Sequence, residues 1–241
     1  MKNDAGKTLP VPAKTRKLNQ TSRQLAIRRS EATSADYVLH LGLREVKALA
    51  TAAAENRHGE RDRLLIELLF DGCLRCAEAI ALRPTDVISA LNGWVVNVVG
   101  KGGRVTAVAI SAGLAAELQA YAYRHQLAPG ERFFPISGPR AFQIVSEAFE
   151  SAGIPRPSRA RDGVGTVHIL RHSGAIERLK RTGNPKAVQA QLRHKSALMT
   201  LRYMKTLSHD ESLAIQQGVS FNWRGWPECV YLSRRAYRRR I

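Results

Sequence analysis

Six residues carry most of the chemical information in this chain: Arg75, Lys101, His168, Arg171, His194 and Tyr203. Three are cations, two are imidazoles that can gain a proton, and one is a phenol. The densest run is His168-Ile169-Leu170-Arg171-His172-Ser173-Gly174, followed by Leu192-Arg193-His194 and, nine residues later, Tyr203. A tyrosine among cations is equipped to attack a phosphodiester. The phenol oxygen acts as nucleophile, and the cations hold the non-bridging oxygens and stabilise the extra negative charge of the transition state. A phenol with a pKa of about 10 is largely protonated at neutral pH, so such a site also needs a base.

His168 and Arg171 stand at i and i+3, on one face at the start of a helix, where both can meet one phosphate. The guanidinium fork of Arg171 matches two phosphate oxygens. Each residue alone also fits a plainer role: H-x-x-R as a polar helix face, His194 as a surface histidine, Tyr203 as a helix residue packed on the core. Their joint order is what points to a site.

The elements that must position these residues are mostly helical. Leu43, Val46, Leu49 and Ala50 recur at helical spacing from about Leu41. A second helix is predicted over 60–70, with Leu64, Leu65, Leu68 and Leu69 as its buried stripe and Asp71-Gly72 as its stop. A third runs through 75–82 and ends before Pro84. The period then changes. The β-branched run 94–99 reads as a strand, 100–103 (Gly-Lys-Gly-Gly) as a turn, and 104–110 as the returning strand. Helices are predicted again at about 114–126, 140–152, 167–181, 185–192 and 197–205, with a basic Pro/Gly-rich loop at 155–165. The expected fold class is mainly α with a small antiparallel sheet.

The chain has 241 residues and a formal charge of +18. That excess attracts polyanions, nucleic acid first among them. Residues 1–37 read as a basic arm with a short helix at 22–30, residues 38–218 as the catalytic domain, and 219–241 as a basic, aromatic tail. No apolar run approaches a membrane span and the N-terminus lacks a signal-peptide pattern, so a cytosolic, DNA-associated location is expected. Cys73 and Cys76 form a C-x-x-C. Zinc would need further ligands, a redox pair is an alternative, and the plain reading packs both inward from one helix face.

With these motifs in order, the chain resembles the tyrosine recombinase (phage-integrase-type) family from about Leu41 to Leu207. The family's G-L-R-x-x-E run appears here as Gly72-Cys73-Leu74-Arg75-Cys76-Ala77-Glu78, with Cys73 where glycine is usual. Lys101 lies in a hairpin turn, H-x-L-R-H matches in full, and L-G-H appears as Leu192-Arg193-His194, with Arg193 in place of glycine. The resemblance implies that Tyr203 attacks the scissile phosphate to give a 3′-phosphotyrosine and a free 5′-hydroxyl. Arg75 and Arg171 would hold the non-bridging oxygens, with His194 donating to the same atoms. Lys101 would protonate the departing oxygen, His168 would accept the phenol proton, and Glu78 would orient Arg75 or His168.

The resemblance implies no metal or other cofactor. The chain has no Walker loop and no carboxylate cluster for magnesium. Candidate DNA contacts are Lys14, Arg16 and Lys17 in the arm, with Arg104, Arg159, Arg161, His172, Arg193 and Lys195. The implied partners are double-stranded DNA at a specific site and a homo-tetramer assembled on it. The resembled family usually carries a helical DNA clamp ahead of the catalytic part, where this sequence has roughly 40 residues; the expectation is either a short member of the family or clamping by the basic arm, with an accessory DNA-binding protein as a further candidate partner. The tail, with Phe221, Trp223, Trp226, Tyr231 and Tyr237 among arginines, reads as a segment docking into a neighbouring protomer, a DNA tail, or a disordered basic extension. Two other functions fit the same residues: a DNA-binding regulator on this fold, and a type IB topoisomerase-like relaxing enzyme.

Overall fold

The computed structural model describes residues 38–100 and 102–218. The basic arm with its predicted helix at 22–30, the three arm cations Lys14, Arg16 and Lys17, the turn residue Lys101, and the tail 219–241 lie outside the described residues.

The described residues form ten α-helices and one three-stranded antiparallel sheet. Helix α1 (Leu43–Ala54) buries Val46, Leu49, Ala50 and Ala53. Its start is closed by Glu45, whose Oε2 accepts the Gly42 N–H. Helix α2 (Gly59–Asp71) buries Leu64, Leu65, Ile66, Leu68 and Leu69. Helix α3 (Cys76–Ala81) follows after a sharp turn in which Cys73 takes a left-handed φ of 50°. The C-x-x-C pair therefore does not share a helix face. Cys73 is buried in the turn, and Cys76 opens α3, half-buried.

The hairpin predicted at 94–110 is present as β2 (Gly93–Val99) and β3 (Val105–Ile110), in register from Trp94↔Ile110 to Val99↔Val105. A further strand, β1 (Val87–Ala90), pairs with β2 from Val87↔Val96 to Ala90↔Gly93. The two-residue connection Leu91-Asn92 leads into Gly93, whose φ of 134° only glycine adopts readily.

Helices α4 (Ala112–Arg124) and α5 (Gly138–Ser151) each begin at a serine, Ser111 and Ser137, whose hydroxyl accepts a free backbone N–H of the first turn. A single turn, α6 (Arg159–Asp162), interrupts the predicted basic loop. Helix α7 (His168–Thr182) stops at Gly183, and α8 (Pro185–Leu192) starts from Asn184 as cap and Pro185 in its first turn. Helix α9 (Leu198–Met204) carries Tyr203, and α10 (His209–Gln217) closes the described chain with a Ser208–Glu211 capping box. No helix among the described residues is long and apolar enough to cross a membrane.

Helix α7 divides the interior. Ile169 and Leu170 join the main core with α1, α2, α5 and the sheet residues Val96, Val98 and Val108. Ala175, Ile176 and Leu179 form a second cluster with Cys73, Val188, Leu192 and Tyr203. The close approach of α7 to the end of α2 depends on Gly174: a β-carbon there would lie 1.9 Å from the Phe70 carbonyl oxygen. Three polar anchors fix the same neighbourhood. Ser173 Oγ donates to Ile169 O and accepts the Leu41 N–H at 2.8 Å. Arg178 donates to the backbone and carboxylate of Asp71. Gln191 of α8 bonds both the N–H and the carbonyl of Ala109 on β3, which ties the hairpin bearing position 101 to the helix that precedes His194.

Candidate active site

The turn between α2 and α3 and the first half of α7 supply the cationic half of the site. Arg75, exposed, donates from Nη1 to Glu78 Oε1 at 2.9 Å, while its own backbone N–H is accepted by Glu78 Oε2 at 2.8 Å. Arg171 is only 2% exposed. Its guanidinium donates to the carbonyls of Cys73 at 2.5 Å and Leu192 at 2.8 Å, so it clamps the α2–α3 turn to the end of α8. Glu78 Oε2 lies 4.0 Å from Arg171 Nη1 and 2.6 Å from Arg193 Nη2. One carboxylate thus faces three guanidiniums. Burial alone would raise the Glu78 carboxyl, but the Arg75 hydrogen bonds and the Arg193 charge outweigh it and hold Glu78 below the usual carboxylate range. Burial, with the Arg75 charge alongside, pushes Arg171 down to about 10, which still leaves it a cation at neutral pH.

The second half is aromatic. The Tyr203 hydroxyl is 2.7 Å from His172 Nδ1. The His168 ring meets His172 edge-on at 4.6 Å, and the His194 ring lies nearly parallel to Tyr203, 12° apart at 6.2 Å. His194 is oriented from behind by Thr200, whose hydroxyl is 3.1 Å from its Nδ1. Burial and then the charges of His168 and Arg171 push His172 down to about 3. Burial and the charges of Arg171 and Arg75 push His194 down to about 4. Burial raises the Tyr203 phenol to about 12, with Arg171 only partly opposing it. All three groups are therefore neutral at pH 7, and in the Nε2–H tautomer of His172 the phenol O–H donates to Nδ1. Tyr203 is 3% exposed, so attack requires the phenol to leave this enclosure.

The fold thus brings Arg75, Glu78, Arg171, His168, His194 and Tyr203 into one neighbourhood, while Lys101 lies outside the described residues. Two placements differ from the sequence reading. The imidazole against the phenol is that of His172, and His168 stands behind it. His172 and Arg193, read as DNA contacts, are hydrogen-bonded within the DNA-free protein to Tyr203 and to Glu78. Arg104, Arg159 and Lys195 are exposed, whereas Arg161, also exposed, is paired with Asp162 at 2.9 Å. His172 carried a usable signal: it lies at i+4 from His168, on the same helix face. Thr200, three residues before Tyr203 and hence on its face, carried a weaker one.

A mainly helical body with a small antiparallel sheet, presenting guanidiniums, imidazoles and a tyrosine at one place, is the fold of a tyrosine recombinase catalytic domain. It is similar to the catalytic domain of bacteriophage HP1 integrase, with a TM-score of 0.55 and 22% identity over 73% of this chain and 94% of that one. It is similar also to XerH site-specific recombinase bound to its difH substrate in a pre-cleavage complex, with a TM-score of 0.59 and 22% identity over 74% of this chain and 53% of that one. The tyrosine recombinase XerC of Methylobacterium sp. (strain 4-46) is 33% identical over 176 residues, which are 66% of this chain and 52% of that relative. The chain thus spans about half the length of this relative. The model of the Phage integrase family matches residues 40–209. The chain belongs to that family.

Proposed function

We propose that this protein is a site-specific DNA recombinase that cuts and rejoins strands through a 3′-phosphotyrosine. The observation that carries the reading is the placement of the Tyr203 phenol, hydrogen-bonded to an imidazole and within the field of Arg171. The phenol oxygen forms a bond to the scissile phosphorus, and the P–O5′ bond breaks. The phenol proton passes to an imidazole. His172 is the nearer acceptor, and His168 adjoins it. The 5′-oxygen takes a proton from Lys101. Arg75, Arg171 and His194 hold the non-bridging oxygens. A buried imidazole at about 3 is a weak base, but an incoming phosphate brings the negative charge that opposes the repulsion from Arg171 and raises its proton affinity. Reversal by a 5′-hydroxyl from a second duplex rejoins the strands without an external energy source.

The DNA-bound XerH relative and the charge of +18 support double-stranded DNA as partner. A tetramer on two sites is the assembly this chemistry calls for. The test is to incubate the protein with two labelled duplexes drawn from the DNA around its own gene and to resolve the products. Recombinant joints support the reading. Relaxed supercoiled plasmid without joints would instead indicate a topoisomerase-like enzyme, and retarded but uncut DNA a regulator.

A further inference from the structure

Residue 193 follows the last turn of α8 with φ 56° and ψ 40°, in the left-handed region. A β-carbon is strained there, and the related motif has glycine. Arginine at this point is locally unfavourable on a second count. Its side chain is 13% exposed, its Nη2 donates to Glu78, and its Nη1 is buried with no acceptor among the described residues. A buried N–H without a partner is costly, most of all on a charged group. Two unfavourable features retained in one residue, beside the catalytic candidates, are the pattern of a site built for a ligand rather than for stability.

The charge balance says which ligand. Glu78 faces Arg75, Arg171 and Arg193. Without Arg193, one carboxylate would draw on the two guanidiniums needed for phosphate and leave a single net positive charge. With it, three guanidiniums against one carboxylate leave two. We propose that Arg193 is a third guanidinium of the phosphate site: its Nη2 takes one oxygen of Glu78 while Arg75 holds the other, and its Nη1, enclosed and without an acceptor among the described residues of the DNA-free molecule, donates to a non-bridging phosphate oxygen once the site opens, as it must also open for Tyr203 to attack.

This inference rests on the reading of Arg75 and Arg171 as phosphate ligands, and its test does not require strand exchange. The full-length protein and its Arg193→Gly, Arg193→Gln and Arg193→Lys variants are melted in rising inorganic phosphate against chloride of equal ionic strength. Lys47→Gln, an exposed charge loss on α1, is the control for general anion attraction. The wild type and Lys47→Gln should gain melting temperature specifically with phosphate. Arg193→Gly and Arg193→Gln should need about ten times more phosphate for the same gain, the effect of losing one charge-assisted hydrogen bond, and Arg193→Lys should fall between. In chloride, Arg193→Gly should melt close to the wild-type temperature, because the relaxed left-handed backbone offsets the lost ion pair with Glu78. A lower melting temperature with an unchanged phosphate response would make Arg193 a structural brace and overturn the proposal. Absence of any phosphate-specific gain in the wild type would overturn it too. Single-turnover cleavage of a nicked duplex separates the two levels: a wild type that responds to phosphate yet never cleaves contradicts the recombinase reading and leaves the assignment of Arg193 standing.

Discussion

Replacing Gly174 by alanine tests whether the contact between α7 and α2 sets the geometry of the site. The added β-carbon would sit 1.9 Å from Phe70 O and 2.9 Å from Cys73 Sγ, where ordinary contact begins at 3.4 Å. The first obstacle is backbone, so no rotamer change relieves it, and α7 must move off α2 by about 1.5 Å. A shift of that size along the contact stretches the 2.5 Å bond from Arg171 Nη1 to Cys73 O beyond hydrogen-bonding range. Overpacking contributes about 1–3 kcal/mol, and loss of a buried hydrogen bond from a charged group about 1.5–3 kcal/mol more. The two together come to about 2.5–6 kcal/mol. For a chain of this size that lowers the melting temperature by at least about 5 °C. Thermal denaturation followed by circular dichroism reads it directly. Gly113→Ala is the paired control: its β-carbon meets nothing within 4 Å, so it should leave stability unchanged or raise it slightly. A Gly174→Ala protein melting within about 2 °C of wild type would refute the close packing and, with it, the account of how Arg171 is held.

Arg171→Lys should fold with reduced stability and lose nearly all strand cleavage while binding DNA only modestly less well, because one ammonium cannot span the Cys73 and Leu192 carbonyls and also fork a phosphate; melting, cleavage and filter-binding assays on one preparation read all three. The stability of the wild type should decline as pH falls from 6.5 towards 5. His172 and His194 are held at about 3 and about 4 in the folded protein; with depressed folded values, their contribution is complete above the unfolded pKa and is lost as pH falls, since only the unfolded chain takes up protons in that window. His172→Phe should flatten the slope of urea midpoint against pH between 5 and 6.5, and an unchanged slope would contradict the buried, neutral assignment. DNA affinity should fall steeply and linearly on a log–log plot against salt, through counterion release; a flat plot from 50 to 200 mM would rule out phosphate-dominated binding.

Much of the fold was legible because its signals are local. The leucine stripe of α2, the β-branched run of β2, and Pro185 following Asn184 each mark an element through periodicity or capping. Strand β1 escaped because four residues, Val-Ile-Ser-Ala, show no clear alternation; the Asn92-Gly93 pair was its readable trace. Helix α10 escaped for want of an apolar face, since none of its residues is buried, although its Ser208–Glu211 capping box stands in the sequence. The site residues were legible as a chain-order pattern. What they touch was not. The left-handed turns at Cys73 and Arg193, the inward aim of Arg193 at Glu78, and the choice of His172 over His168 beside the phenol arise where segments distant in sequence meet, and no local periodicity encodes such meetings. The need for glycine at 174 belongs to the same class.

The central claim is that Tyr203 is the nucleophile. The most direct measurement is to trap cleavage on nicked duplexes from the DNA around the gene, digest the protein, and identify the peptide that retains nucleotide by mass spectrometry, with Tyr203→Phe alongside. The account predicts a single adduct, on the peptide containing Tyr203, through a 3′-phosphate, and none in the variant. An adduct on another residue, or one that persists in Tyr203→Phe, would contradict it.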